Sequence, residues 1–518
     1  MTQRCLCSIV IALLIGLLAP CSAQAQFESQ SPTPIRTRPQ QFPAPVSTPK
    51  GSVTAGQTTT SGTPGGSVNT VDSSIQVQGA FQGSTPVGVA TKEPLPLSLD
   101  EAVRRALSYN MGVIGAEQTE RSARAQRLGA LAELLPDIFG TTSENANQLV
   151  LSTTGLQSSR VIPGFTFART LGPFNFFESG VSVSQRVMDL TAYRNYRSSK
   201  EITSAARANV RDSRELVILA VGGFYLQTVA AAALVDSARA QFETAQAVYK
   251  QAFDRYEAGL NARIDANRSE VEMQTQRLRV ISLETDFKTQ KLALGRLIGL
   301  PLGQDFTLTT VLEYPGISPM PLDEALEKAF ETRADLQAAK AQVRAAAQAR
   351  KAAQAQYTPA VTINGTYFAA GVNPAQSNGG FSAVARVDFP IWRSGRIQSD
   401  IAEADAVLTQ REAELEDACG RVDYEVRTAF LRLTAATEQV GVAESNRALA
   451  QETVSQARDR FAAGVANTVE VVQAQEAVAV AEQDYISAVY AHYLAALTLA
   501  RATGDAEQGL ANMLRRIK

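Results

Sequence analysis

With one histidine, His492, and four cysteines in 518 residues, the chain has too few soft donors for a multi-histidine or cysteine-rich metal centre. Cys5, Cys7 and Cys21 fall at the extreme N-terminus, which leaves Cys419 without an intrachain partner, a small buried residue by expectation. Charge of one sign is not in excess either. Lys and Arg number 49 against 51 Asp and Glu, a net −2, so no basic face for a nucleic acid is expected. No nucleophile, base and orienter can be picked out as a set, so the chain reads as a non-enzyme without a cofactor box. Past the N-terminus no apolar run reads as long enough for a membrane-spanning helix.

What is there begins with an export signal over residues 1–25. Arg4 supplies the positive region, Ile9 to Leu18 the short apolar run, and Ala23-Gln24-Ala25 the small-residue cleavage site. Leu17-Leu-Ala-Pro-Cys21 is the rival signal, in which a lipidated Cys21 becomes the first residue. Residues 26–94 are rich in Ser, Thr, Gly, Pro and Gln, and their few apolar residues hold no sustained period. A disordered tail is expected there.

From residue 95 the chain says everything twice. Gln251-Ala-Phe-Asp-Arg255-Tyr256-Glu-Ala-Gly259 and Gln456-Ala-Arg-Asp-Arg460-Phe461-Ala-Ala-Gly464 match at an offset of 205, which holds without a gap from Val217/Val422 to Gly299/Gly504. Leu99-Asp-Glu-Ala102 and Leu322-Asp-Glu-Ala325 match at an offset of 223, as do Pro136 and Pro359. The expected parts are a first repeat at 95–299, a crossover at 300–321, a second repeat at 322–505 and a C-terminal tail at 506–518. Each repeat is expected to open with one helix that ends at its proline. The period then becomes alternating. Val181, Val183 and Val187 oppose Ser182, Ser184 and Arg186, and Val361, Ile363 and Tyr367 oppose Thr362, Asn364 and Thr366. Phe381 to Phe389 alternates likewise, whereas Thr141 to Asn147 is polar on both faces. Leu151 to Pro173 and Asn373 to Gly380 read as the connecting loops, and Trp392 as an interfacial aromatic. Helical pattern then runs to each glycine, about 100 Å for Leu190 to Tyr256, with Gly222 and Gly223 expected to weaken it midway. The glycine is a tight turn between antiparallel helices. Four strands cannot close a barrel and open edges are not viable in lipid, so the chain must oligomerise; three copies give twelve strands.

These features resemble the TolC-type outer-membrane efflux protein family: Leu99-Asp100-Glu101-Ala102 with Ala106-Leu107 and Asn110, the echo at Leu322, and both Arg-aromatic-x-Ala-Gly turns. Two details depart from it, Met111 where the family often has proline and Ala334 within Arg333-Ala334-Asp335-Leu336. The resemblance implies an α+β membrane protein: a homotrimeric outer-membrane β-barrel, four strands per chain, continued by a long α-helical coiled-coil barrel through the periplasm. It also implies passive export with a periplasmic adaptor and an inner-membrane transporter, in tripartite pumps or type I secretion. A trimeric coiled-coil scaffold or surface fibre without a channel is the alternative. On this reading Asp265 and Glu470, each six residues past a turn glycine, form a periplasmic gate, with Arg263 or Arg268 able to offset Asp265. The hairpin tips at Arg255, Tyr256, Gly259, Arg460, Phe461 and Gly464 become the adaptor-docking surface. His492 is expected at a surface or between helices, not as a ligand.

Overall fold

A computed structural model describes residues 51–60, 70–150, 170–259, 262–310, 320–463 and 468–510, with single positions 314, 316 and 465. The export signal, Cys21, Gly464 and residues 151–169 of the expected loop lie outside the described residues, and the remainder of that loop, from Thr170, is strand.

The order of elements repeats as the sequence does, except at the N-terminus. There β1 (Gly51–Thr60) and β2 (Thr70–Gly79) pair antiparallel and lead through a 3-10 turn to β3 (Leu95–Leu97). The expectation of a disordered 26–94 is corrected for these residues. Val53, Ile75, Val77 and Phe81 are buried against the helices that follow, so a short alternating pattern finds a core supplied by the rest of the chain. The segment cannot bury enough surface against itself, but it does so against its neighbours.

The expected single opening helix of each repeat is two. Helix α1 (Leu99–Tyr109) is capped by Ser98, whose Oγ accepts from Glu101 N, and breaks at Asn110 before α2 (Met111–Ala132). Asn110 leaves helical geometry with ψ 133, caps α2 through Gly112 N, and donates its Nδ2 to Phe81 O at 3.0 Å. The same break falls at Arg333 in the second repeat.

Next come β4 (Asp137–Val150), β5 (Thr170–Met188), then α3 (Leu190–Glu257) and α4 (Arg263–Leu297). After a short β6 (Phe306–Leu308), parallel to β3, the second repeat supplies α5 (Leu322–Thr332), α6 (Ala334–Ala355), β7 (Ala360–Gly371), β8 (Ser377–Asp388), α7 (Arg396–Ala462) and α8 (Thr468–Ala502). The expected loop Asn373 to Gly380 is tighter than read, because Pro374–Gln376 turns directly into β8. The C-terminal tail does not stand apart either, since Ala506 and Leu510 are buried.

The four long strands form one sheet in the order β4-β5-β7-β8, all antiparallel, so the repeats join through β5 and β7. Register sorts the faces. Ser182 lies opposite Thr366 and Ser184 opposite Asn364, with side-chain contacts of 3.3 and 2.8 Å. Val181 lies opposite Tyr367, which in turn faces Phe381, and these apolar side chains are exposed. A sheet with polar groups on one face and bare apolar groups on the other suits water on one side and lipid on the other. Trp392 is exposed just past β8. Strands β4 and β8 are its edges.

Helix α3 runs unbroken for 68 residues, about 100 Å. Gly222 and Gly223 do not interrupt it; they make room. A Cβ at Gly222 would stand 2.5 Å from Leu497 of α8, and one at Gly223 2.4 Å from Ile75 of β2. This helix also overturns the expected absence of a long apolar run. It has an 18-residue window of mean hydropathy 1.9, long and apolar enough to cross a membrane, but 72% of that window is buried within the protein, as in a core helix. His492 is fully buried between Tyr314 and Tyr493, an interhelical position, whereas Cys419 is half-buried, not buried.

Candidate functional site

The ends of the two helical hairpins bring the predicted residues together, but not symmetrically. In the first, Gly259 adopts φ 73, its N–H donates to Tyr256 O at 2.9 Å, and α4 starts at Arg263. Positive φ is what this tight reversal requires and what a side chain resists. In the second, Val465 N donates to Arg460 O at 3.0 Å and α8 starts at Thr468. Asp265 and Glu470 both fall in the first turn of a return helix, where the helix dipole favours a carboxylate.

The duplicated arginines have diverged in what they do. Arg460 Nε pairs with Glu470 Oε1 at 3.1 Å, within its own hairpin. Its counterpart Arg255 leaves Asp265 and crosses to the other hairpin, where Nη1 donates to Phe461 O at 3.1 Å and the guanidinium stands 4.7 Å from the Phe461 ring centre. Among the described residues Asp265 pairs with Arg268, at 3.9 Å, and Arg263 makes no ion pair with it. Phe461, 4% exposed, is packed with Val248, Val454 and Val471. It is therefore a buried contact between the hairpins and does not present a docking feature. Tyr256 is half-buried beside Phe253.

Sequence reasoning missed a second polar constellation, where the repeats meet higher up. Arg501 of α8 reaches α3, pairing with Asp212 and, at 3.2 Å, with Glu215. Arg333, 1% exposed at the α5–α6 break, pairs with Asp335 at 2.7 Å and with Glu425 of α7 at 2.6 Å. Burial pushes the Glu215 carboxyl up to about 7, opposed by Arg501 and reinforced by Asp212. Burial raises Asp212 too, whereas for Asp335 hydrogen bonding and charge from Arg333 overcome burial and hold it below the ordinary range. The clue in sequence was the Arg333-Ala-Asp335 pair; Asp212, Glu215, Glu425 and Arg501 are dispersed along helices and look like ordinary solvated charges.

Comparison with known proteins agrees with this architecture. The model of a family described as outer membrane efflux protein matches residues 102–300 and 325–505, leaving out the crossover between the repeats. The chain is 25% identical over 433 residues to the pyoverdine export outer membrane protein OpmQ of Pseudomonas aeruginosa, covering 80% of this chain and 87% of that protein. It is 23% identical to the protein of the same name from Pseudomonas putida, over 79% and 86% of the two chains. Among solved structures, the outer-membrane channel OprN superposes with a TM-score of 0.65 at 18% identity, covering 79% of this chain and 90% of that one. CusC gives 0.66 at 18%, over 81% and 99%. At such identities the solved structures speak for the fold alone.

Proposed function

The chain belongs to the outer membrane efflux protein family, and on that premise we propose that it works as a trimeric channel-tunnel, passively exporting small molecules or proteins. The observation that carries the reading is the sheet β4-β5-β7-β8. It has an exposed apolar face, a polar face, and two edges that no strand among the described residues pairs. Unpaired edges are costly in lipid, so the edge of β8 in one copy pairs with the edge of β4 in the next, and three copies close twelve strands. The long hairpins continue the passage into the periplasm, where an adaptor and an inner-membrane transporter deliver the cargo.

At the far end Asp265 and Glu470 form the gate. Three chains bring six carboxylates around one axis, where like charges favour cations and resist tight closure. Arg460 neutralises Glu470 within its hairpin, so the uncompensated charge belongs chiefly to Asp265. Docking of the adaptor falls to the exposed parts of the tips, Arg460 and the Gly259 turn, with Arg255 and Phe461 holding the hairpins in register behind them.

Mass measurement of the detergent-solubilised protein together with planar-bilayer recording tests this reading. Three copies and discrete cation-selective conductance are expected. A monodisperse monomer, or a trimer that conducts nothing as a fibre or scaffold would, refutes it. Reversing the charge of Arg460 is expected to weaken cross-linking to the adaptor; unchanged cross-linking and export would remove the docking assignment.

A further inference from the structure

The sheet sorts its faces one way through the membrane and the opposite way at its outer end. Helices enter and leave β4, β5, β7 and β8 at their periplasmic ends, so the β4–β5 connection and the β7–β8 turn lie outermost. On the central strands β5 and β7 the water side begins with Arg186, Ser184 and Ser182 opposite Thr362, Asn364 and Thr366. Successive side chains alternate, so the same face continues outward through Gly180, Glu178, Phe176 and Phe174 on β5 and through Phe368 on β7. Two glycines agree with this side. A Cβ at Gly180 would stand 2.8 Å from Phe368 Cβ, and one at Gly380 2.9 Å from Phe368 Cζ, so the ring rests against the wall over β8.

The lipid face changes in the opposite sense. Outward of Val181 it presents Ser179, whose hydroxyl lies 2.9 Å from that of Thr142, and then Glu144 opposite Phe177. Polar groups on that side mark the end of the apolar band. Phe176 and Phe174 stand beyond it, exposed, on the stretch of β5 that rises past Gly371, where β7 ends. At that height both faces meet water, and apolar rings gathered on the inner one mark a contact.

Two occupants could cover them, the matching arms of the other copies or a solute. Glu178 decides between these. It is exposed on the same face, two residues and about 7 Å below Phe176. On the four strands no described Lys or Arg lies outward of Arg186 and Arg386, so no fixed cation stands beside it. Closing three arms onto one another would draw three carboxylates into an apolar space without counter-charge, a costly arrangement. A solute with an apolar body and a positive charge covers the rings and answers the carboxylate, and the ring faces themselves attract a cation.

We propose that the outer mouth is an exit site for hydrophobic organic cations, ammonium ions with apolar substituents, with Glu178 holding the charge and Phe174, Phe176 and Phe368 the apolar groups. Such a solute is held at the last point before release, so the channel discriminates there as well as at its periplasmic end. The site rests on the channel reading, because it takes the polar face of the sheet as the inside.

The test is planar-bilayer recording of the full-length protein with tetrapentylammonium added on the side of the outer mouth. Tetramethylammonium, equal in charge but without the apolar chains, is the control. Block by tetrapentylammonium is expected at a concentration at least ten-fold lower than block by tetramethylammonium. Replacing both Phe174→Ser and Phe176→Ser should raise the half-blocking concentration of tetrapentylammonium at least ten-fold, and Glu178→Gln about five-fold. Block is read only on channels that conduct, so a variant that fails to assemble is never scored, and the two ions on the wild type then decide. Equal block by the two ions, or wild-type block in the conducting double variant, overturns the site and leaves the channel standing. Wild-type block in conducting Glu178→Gln overturns the part given to the carboxylate. A protein that never conducts overturns the channel reading, and this site with it.

Discussion

Replacing Glu215 by glutamine should make the protein more stable at pH 8 and leave it nearly unchanged at pH 5. Glu215 sits between repeats among five other charges: Asp212 on its own helix, Arg501 of α8, Arg333 and Asp335 at the α5–α6 break, and Glu425 of α7. Four carboxylates thus share two guanidinium groups. Burial, together with Asp212, lifts the Glu215 carboxyl from 4.5 to about 7. A folded-state pKa above the unfolded value means the folded protein holds the proton more tightly. Its contribution is complete below pH 4.5, falls between about 4.5 and 7, and is flat above. At 1.36 kcal/mol per unit, a rise from 4.5 to about 7 corresponds to about 3 kcal/mol per chain lost across that window. Glutamine imitates the protonated carboxyl, so it removes the loss. The measurement is circular-dichroism melting of the helices in detergent from pH 5 to 8. Wild type should melt progressively lower as pH rises, and Glu215→Gln should flatten the trend. An unchanged pH dependence in the variant, or a variant less stable than wild type at pH 8, would refute the account of a strained acidic surplus.

Three further outcomes follow from particular contacts. Asp265→Ala should lower cation selectivity in planar-bilayer reversal potentials more than Glu470→Ala does, because Arg460 already offsets Glu470; equal effects would show that the arginine pairing is irrelevant at the mouth. Deleting residues 51–79 should lower the melting temperature of the solubilised protein, since Val53, Ile75 and Val77 each contribute about 1.5–3 kcal/mol on burial before the ordering of the segment is offset; an unchanged melt would mean that the hairpin rests on the helices without stabilising them. Gly223→Ala should destabilise the full chain, where the new Cβ meets Ile75. In the deletion, with that neighbour gone, it should stabilise by about 0.5–1 kcal/mol through helix propensity, and the same sign in both backgrounds would refute the fit.

What could be read from the sequence was what repeats or keeps a period. The 205-residue offset placed both glycine turns, and alternation over Val181 to Val187 and Val361 to Tyr367 placed β5 and β7, whose cross-repeat register then followed from the antiparallel sheet. Strand β4 was obscure because Thr141 to Asn147 carries no apolar face, and its partner β5, not its own pattern, sets it in the sheet. The breaks at Asn110 and Arg333 were invisible for another reason. Helical spacing continues through both, and the break comes from a buried side chain satisfied at long range: Asn110 by Phe81 O, Arg333 by Glu425.

The candidate site divides along the same line. Duplication made Asp265 and Glu470 conspicuous as a pair, and on sequence they are equivalent. Equivalence fails in three dimensions because one member of a matched pair of arginines was recruited elsewhere. Arg255 spends its guanidinium on Phe461 of the opposite hairpin, while Arg460 stays with its own carboxylate. A duplicated chain that must form one wall needs a contact between its copies, and that contact has to break the symmetry of the residues that make it. Arg501 illustrates this at the other end of the hairpin. The 205 offset pairs it with Arg296 of the first repeat, yet Arg501 is the one that bridges to Asp212 and Glu215. Where the repeats touch, equal sequence therefore gives unequal roles, and those are the positions at which substitution in one copy should not be matched by substitution in the other.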